Sequence, residues 1–147
     1  MHIYFSTNAI PTENWERIHE YLDEFEGEVG LEIFPEYHKP CFEEALRKEL
    51  PYLEQLPCSL HGPYYESEYA VPGDSEEFRH SVELLRKTLE EVAPLHVSYM
   101  VYHHSNMVIR EKEKAQRLAY ARENYETVRK ICEEYGVPPV VENVTLG

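Results

Sequence analysis

Four ionisable side chains stand where this sequence has the residue types and spacing for chemistry: Glu32 in "GLEIF", His61 in "SLHGPY", His103 in "MVYHHS" and Glu142 in "VVENV". Each lies in or just after a short run of β-branched, aromatic or aliphatic residues, the composition of a strand. Two imidazoles and a carboxylate suit Zn²⁺, Mn²⁺ or Fe²⁺, and a carboxylate so placed can also move a proton. Glu142 raises the question most sharply, because it interrupts the apolar run from Val137 to Val144. A carboxylate in such a run is costly to bury without a partner, so either this end is exposed or Glu142 faces a site that other residues complete. Successive strand side chains point to opposite faces. Tyr99, Val101 and His103 therefore share one face, and Met100, Tyr102 and His104 the other. Only one of the two adjacent histidines can meet His61 and Glu142. Taken singly, each residue has an ordinary explanation: a hydrogen-bonded structural histidine, or a glutamate that caps a helix or pairs with an arginine. Their recurrence at equivalent places in neighbouring runs argues for a common centre.

The elements that must position these groups alternate along the chain. "HIYFST" (2–7) reads as a strand. Thr12 is placed to cap a helix in which Trp15, Ile18, Leu22 and Phe25 recur at helical spacing, with Gly27 as the stop. "VGLEIF" (29–34) is a second strand, followed by a helix around Phe42, Ala45, Leu46 and Leu50 that ends near Pro51 or Pro57. "CSLHGPY" (58–64) is a third strand. Asp74 with Glu77 has the form of a capping box for a helix carrying Phe78, Val82, Leu85, Leu89 and Val92. "HVSYMVYHHS" (96–105) is a fourth strand. A long helix spans roughly 109–135, with Leu118, Tyr125, Val128, Ile131 and Cys132 on one side and Gly136 as its stop. "PVVENV" is a fifth strand. Strands separated by helices, at intervals of about 27 to 42 residues, form the rhythm of parallel βαβ units.

The bulk composition narrows the classes of partner. The chain has 147 residues, room for one domain, with 42% apolar and 29% charged residues. It contains no run near the ~20 apolar residues of a membrane helix, and its first residues lack the pattern of a secretory signal. Asp and Glu number 28 against 14 Lys and Arg, a net charge of −14. Such a surface repels a phosphate backbone, which argues against nucleic acid as the partner. Three widely spaced cysteines, Cys41, Cys58 and Cys132, form no CxxC pair. They read as reduced, buried thiols of a cytoplasmic protein.

Two architectures share this rhythm, an open doubly wound sheet and a (β/α)₈ barrel. The first strand–helix junction, "FSTNAIPTEN", has no glycine and so no dinucleotide-binding fingerprint. In order and spacing, "LEIF", "LHGPY", "VYHHS" and "VVENV" resemble the amino-terminal part of the xylose isomerase-like barrel superfamily. That superfamily holds sugar-phosphate isomerases and epimerases and the endonuclease IV-type phosphodiesterases. The resemblance runs over essentially all of residues 1–147. It implies an α/β fold of parallel TIM-barrel type, present as a single partial domain with the first five strands and four helices.

The same resemblance implies that His61, His103 and Glu142 approach a divalent metal at the top of the barrel. Glu142 would also serve as the catalytic acid–base group, and Glu32 would line the substrate pocket. His103 matches the histidine of the usual strand-four "HPG", with His104 in place of the proline and Ser105 in place of the glycine. That departure makes His104 a candidate supporting donor or substrate-lining residue. Tyr64, in "GPYYESEY", is a candidate to stack on a sugar ring, although packing of a long loop against the barrel mouth is the plainer role. Members of the superfamily draw further ligands from later strands. Three ligands alone would hold zinc weakly, and would not hold Mn²⁺ or Mg²⁺ tightly.

These readings lead to an expected function: a metal-dependent sugar or sugar-phosphate isomerase or epimerase, incomplete in this chain. One alternative is a metal-dependent hydrolase or phosphodiesterase acting on a small molecule; another is a non-catalytic half-barrel for assembly or binding. The expected partners are a small polar, sugar-like substrate and a second copy of the chain covering the open barrel edge.

Overall fold

The computed structural model describes residues 3–25 and 29–142. Gly27, and the parts of the first and last predicted strands at His2, Asn143 and Val144, lie outside them. Five strands form one sheet: β1 (Ile3–Ser6), β2 (Val29–Ile33), β3 (Cys58–His61), β4 (Val97–Tyr102) and β5 (Pro139–Val141). Their order is β1-β2-β3-β4-β5, and every neighbouring pair is parallel. The helices are α1 (Ile18–Leu22), α2 (Phe42–Leu53), α3 (Glu76–Glu91) and α4 (Lys114–Glu134). Chain order equals spatial order, as in a barrel wall, and the sheet does not close into a ring among the described residues. β1 and β5 are its two edges.

Register assigns each residue to a face. Leu31, Ile33, Cys58, Leu60, Met100 and Tyr102 lie on the buried face, which packs against Leu46 and Leu53 of α2, Leu85 and Leu89 of α3, and Val128 and Ile131 of α4. Removing this apolar area from water is the main stabilising term of the fold. The opposite face carries Tyr4, Glu32, Ser59, His61, Tyr99, Val101 and Val140. One face is thus made for burial and the other for a polar hollow, and the period-2 alternation of the strands writes both.

Several local expectations are corrected. Thr12 is not a cap: it is buried, and its Oγ1 donates to Glu36 Oε2 at 2.5 Å. The segment it opens is largely 3₁₀ (Thr12–Arg17), broken at Asn14, with only Ile18–Leu22 α-helical. Phe25 is 51% exposed rather than packed. α2 does end near Pro51, at Leu53: the proline sits in its last turn, and Glu54 N–H still reaches the Leu50 carbonyl at 2.9 Å. Ser75, not Asp74, caps α3: its extended backbone lets Oγ accept from Phe78 N–H. In α4, Leu118 is exposed, and Asn124 takes a place on the buried side. Gly136 does end α4. It has φ +69°, and the Gly136 and Val137 N–H groups return to the Glu133 and Cys132 carbonyls.

The thiols are free, but they are not all buried. Cys41 is exposed, whereas Cys58 and Cys132 lie in the core. Burial pushes the Cys58 thiol up to about 11 and the Cys132 thiol up to about 12. A thiol-reactive chromophore at pH 8 is expected to modify Cys41 promptly in the native protein, and the other two only after denaturant is added. Mass spectrometry of the labelled peptides checks the assignment. Prompt labelling of Cys58 would contradict its core position.

Candidate metal centre

The carboxyl ends of three neighbouring strands bring the candidate ligands together. His61 is the last residue of β3, His103 follows β4, and Glu142 follows β5. Glu142 is tied to its neighbour by its N–H, which donates to the Tyr102 carbonyl at 3.1 Å. One ligand atom from each of His61, His103 and Glu142 lies within 4.8 Å of the others. Glu142 is therefore not a charge trapped in a core: its side chain is 58% exposed, while that of His103 is only 9% exposed. His103 Nε2 and Glu142 Oε2 are 2.5 Å apart.

Gly62 helps to set the position of His61. Its N–H donates to the Val101 carbonyl at 2.8 Å, and a Cβ at Gly62 would come within 3.0 Å of that same oxygen. The close approach of these two backbone segments places the His61 ring against that of His103, with centroids 4.8 Å apart. His61 Nδ1 donates to the Gly62 carbonyl at 2.8 Å, which leaves Nε2 with a free lone pair. Burial, reinforced by the nearby His103, lowers the pKa of His61 and favours the neutral imidazole that a metal needs. Phe34 packs on the His61 ring at 4.5 Å and restricts its rotation.

Donors about 2.0–2.2 Å from a shared tetrahedral ion are roughly 3.5 Å apart. The present spread therefore needs only a small adjustment, which the exposed Glu142 carboxylate is free to make. The donor set fits zinc first: two imidazole nitrogens and one carboxylate oxygen, with a fourth position open to solvent.

The other predicted residues divide. Glu32 lines an open hollow of about 700 Å³ together with His61, Tyr99, Val101, Val140, Val141 and Glu142. Tyr64 stands beside both histidines, 5.6 Å from the ring of His103 and 6.0 Å from that of His61. His104 is not among the residues that line this hollow. Its Nε2 is buried without a hydrogen-bond partner among the described residues, and burial lowers its pKa while Glu68 opposes that shift.

Sequence reasoning missed Phe34, Asn106 and the anchoring of the long loop after β3. Glu68 receives the Ser105 hydroxyl at 2.9 Å, and Asn124 donates to the Tyr69 and Val71 carbonyls. Arg117 donates to the Ala70 carbonyl at 2.9 Å. A polar residue on the otherwise apolar side of α4, such as Asn124, was the available signal for this tether.

No protein-family model and no curated protein matches the sequence. Solved structures do match it. A D-tagatose 3-epimerase-like protein superposes with TM-score 0.73 at 20% identity, over 98% of this chain and 53% of its own. The 3-keto-D-glucoside 4-epimerase YcjR from E. coli gives 0.65 at 14% identity, over 96% and 55%. A Thermus thermophilus protein, solved after soaking with zinc chloride, gives 0.64 at 19%, over 95% and 54%. The chain spans about half the length of these proteins. It has the fold of their barrels, present among the described residues as five parallel strands and four α-helices that do not close into a ring.

Proposed function

We propose that this chain is the metal-binding half of a divalent-metal-dependent isomerase or epimerase of sugars or sugar phosphates. One observation carries the reading: His61, His103 and Glu142 converge on the same rim of three adjacent parallel strands. The named activities of two similar structures, both sugar epimerases or like them, point the same way. When bound, a divalent ion would polarise the oxygens of an α-hydroxycarbonyl substrate and make the neighbouring C–H more acidic.

The chain's own residues supply the rest. Glu142, exposed at the rim, accepts the proton from the carbon beside the carbonyl and, in an isomerisation, delivers it to the former carbonyl carbon while the hydroxyl proton passes to the former carbonyl oxygen. His61, whose neutral form burial favours, keeps Nε2 available as a metal ligand. Glu32, in the same hollow, is placed to accept hydrogen bonds from substrate hydroxyls. Tyr64 offers an apolar ring face beside the histidines.

Zinc titration with thermal unfolding tests the metal site. Free metal at a hundredfold excess over its dissociation constant stabilises the native state by about 2.7 kcal/mol. In a domain of this size that is a rise of roughly 5–10 °C in Tm. No shift with Zn²⁺, Mn²⁺ or Fe²⁺ would remove the basis for the reading. The reaction itself is tested by exchange of substrate C–H for deuterium in D₂O, followed by NMR on a panel of ketoses and ketose phosphates. Metal-dependent exchange that disappears in Glu142→Gln supports isomerase chemistry. Hydrolysis of small phosphodiesters without exchange would instead select the hydrolase alternative, which the two-histidine donor set also suits.

The edges bear on assembly. Ile3 is 66% exposed on β1, and Val140 and Val141 are 50% and 53% exposed on and beside the open end at β5. Unpaired strand edges with apolar side chains recruit partners, which supports a homo-oligomer that covers them. Light scattering on the purified chain decides it. No helix among the described residues is long and apolar enough to cross a membrane. A cytoplasmic location and the exclusion of nucleic acid remain part of this proposal, supported by the free thiols and the net charge of −14.

A further inference from the structure

The geometry points to Asn106 as a positioning residue that decides which nitrogen of His103 faces the metal, an inference that rests on the metal-site reading above. Asn106 lies in the loop after β4, three residues beyond His103. Its Nδ2 donates to the Tyr64 carbonyl at 2.7 Å, with the Ser67 carbonyl and hydroxyl farther off at 3.4 and 3.5 Å. A backbone carbonyl only accepts, so the amide cannot be turned round without setting two oxygens against each other. Oδ1 is thereby aimed at His103 Nδ1, 3.2 Å away.

Oδ1 also only accepts, so Nδ1 carries the hydrogen and Nε2 is the atom left for the rim. Nε2 is the nitrogen that meets Glu142, whose carboxylate also only accepts, and a bound metal would take the place of the hydrogen between them. His61 has the same arrangement with a different acceptor, the Gly62 carbonyl. Both imidazoles are pinned through Nδ1–H and both present Nε2, one by backbone and one by a side chain from a neighbouring loop. Asn106 touches no ligand position itself. It acts through His103, and its orientation is set by the loop after β3, so the two loops and the β4 ligand form one hydrogen-bonded unit.

Two substitutions separate this role from a plain loop tether. Asn106→Ala removes both the acceptor for Nδ1–H and the donor to Tyr64. Asn106→Asp keeps an acceptor for Nδ1–H but loses the donor. Zinc affinity is measured by competition with a chromophoric chelator, alongside denaturant unfolding of the metal-free proteins. Asn106→Ala is expected to weaken zinc about 10–100-fold, and Asn106→Asp to stay within a few-fold of the wild-type chain. A tether alone gives the reverse order, because aspartate opposes a carboxylate to the Tyr64 carbonyl.

Wild-type affinity in Asn106→Ala, or an Asn106→Asp that falls with it, overturns the inference while leaving the metal site standing. A wild-type chain that takes up no zinc overturns both. A measurement on the unaltered chain does not depend on the variants folding: with ¹¹³Cd and ¹⁵N-histidine labelling, scalar coupling of the metal to His103 Nε2 is expected. Coupling to Nδ1 instead overturns the assignment.

Discussion

His103→Ala is expected to strip the chain of divalent metal, with zinc affinity falling by more than ~100-fold. Loss of a residue that merely orients a ligand costs about 10–100-fold, and loss of the ligand itself costs more. His103 is the sharper test of the two histidines because it also holds the third donor. Glu142 is 58% exposed, and its side-chain contact in this structure is with His103 Nε2. An exposed carboxylate without that partner samples many rotamers, so His103→Ala removes one ligand and releases another.

The fold should survive the change. His103 stands at the rim, its ring against those of His61 and Tyr64 and outside the apolar core that holds the helices to the sheet. Elemental analysis after dialysis and the visible spectrum of the Co²⁺-loaded protein provide the measurement. A variant that keeps stoichiometric metal and an unchanged spectrum would show that the ligands lie elsewhere.

The second large effect concerns the scaffold. Trp15→Ala is expected to cost about 3–5 kcal/mol in stability, the usual range for deleting a buried large aromatic side chain, against a total of about 5–15 kcal/mol for a domain. Trp15 is 1% exposed and meets Phe42 edge-on at 5.6 Å, and Phe42 in turn meets Tyr37 at 5.1 Å. This stack joins the segment after β1 to the start of α2, so its loss opens a cavity between two elements that cannot both relax into it.

Trp15→Phe should cost less, because it keeps an aromatic ring against Phe42 and removes fewer buried atoms. Nε1 of Trp15 has no hydrogen-bond partner among the described residues, so removing that polar group offsets part of the lost contact area. Urea unfolding midpoints for the two variants check the contrast. Equal losses would mean that the indole nitrogen has a partner that matters.

Much was legible in the sequence because it depends on periodicity within a single segment. Alternation along the fourth strand separated His103 from His104, and in the structure only His103 joins His61 and Glu142. The strand–helix rhythm determined a parallel sheet, and Gly136 determined the end of α4, since an αL turn there is cheap for glycine and costly for most other residues. The recurrence of His61, His103 and Glu142 at equivalent strand ends already named a donor set.

What only the tertiary structure decided are relations between segments far apart in the chain. Ser75 and Asp74 are both competent caps, and the backbone angle at Ser75 chose between them. Thr12 faces Glu36 across 24 residues instead of capping its own helix. Phe25, Leu118 and Cys41 are exposed because no described element covers them, which helical or strand spacing cannot reveal. Asn106 is the clearest case: its acceptor on Tyr64 is 42 residues away, and nothing local distinguishes it from any loop asparagine. Patterns within a strand or helix decide which way a side chain points; the packing of one element on another decides what it finds there.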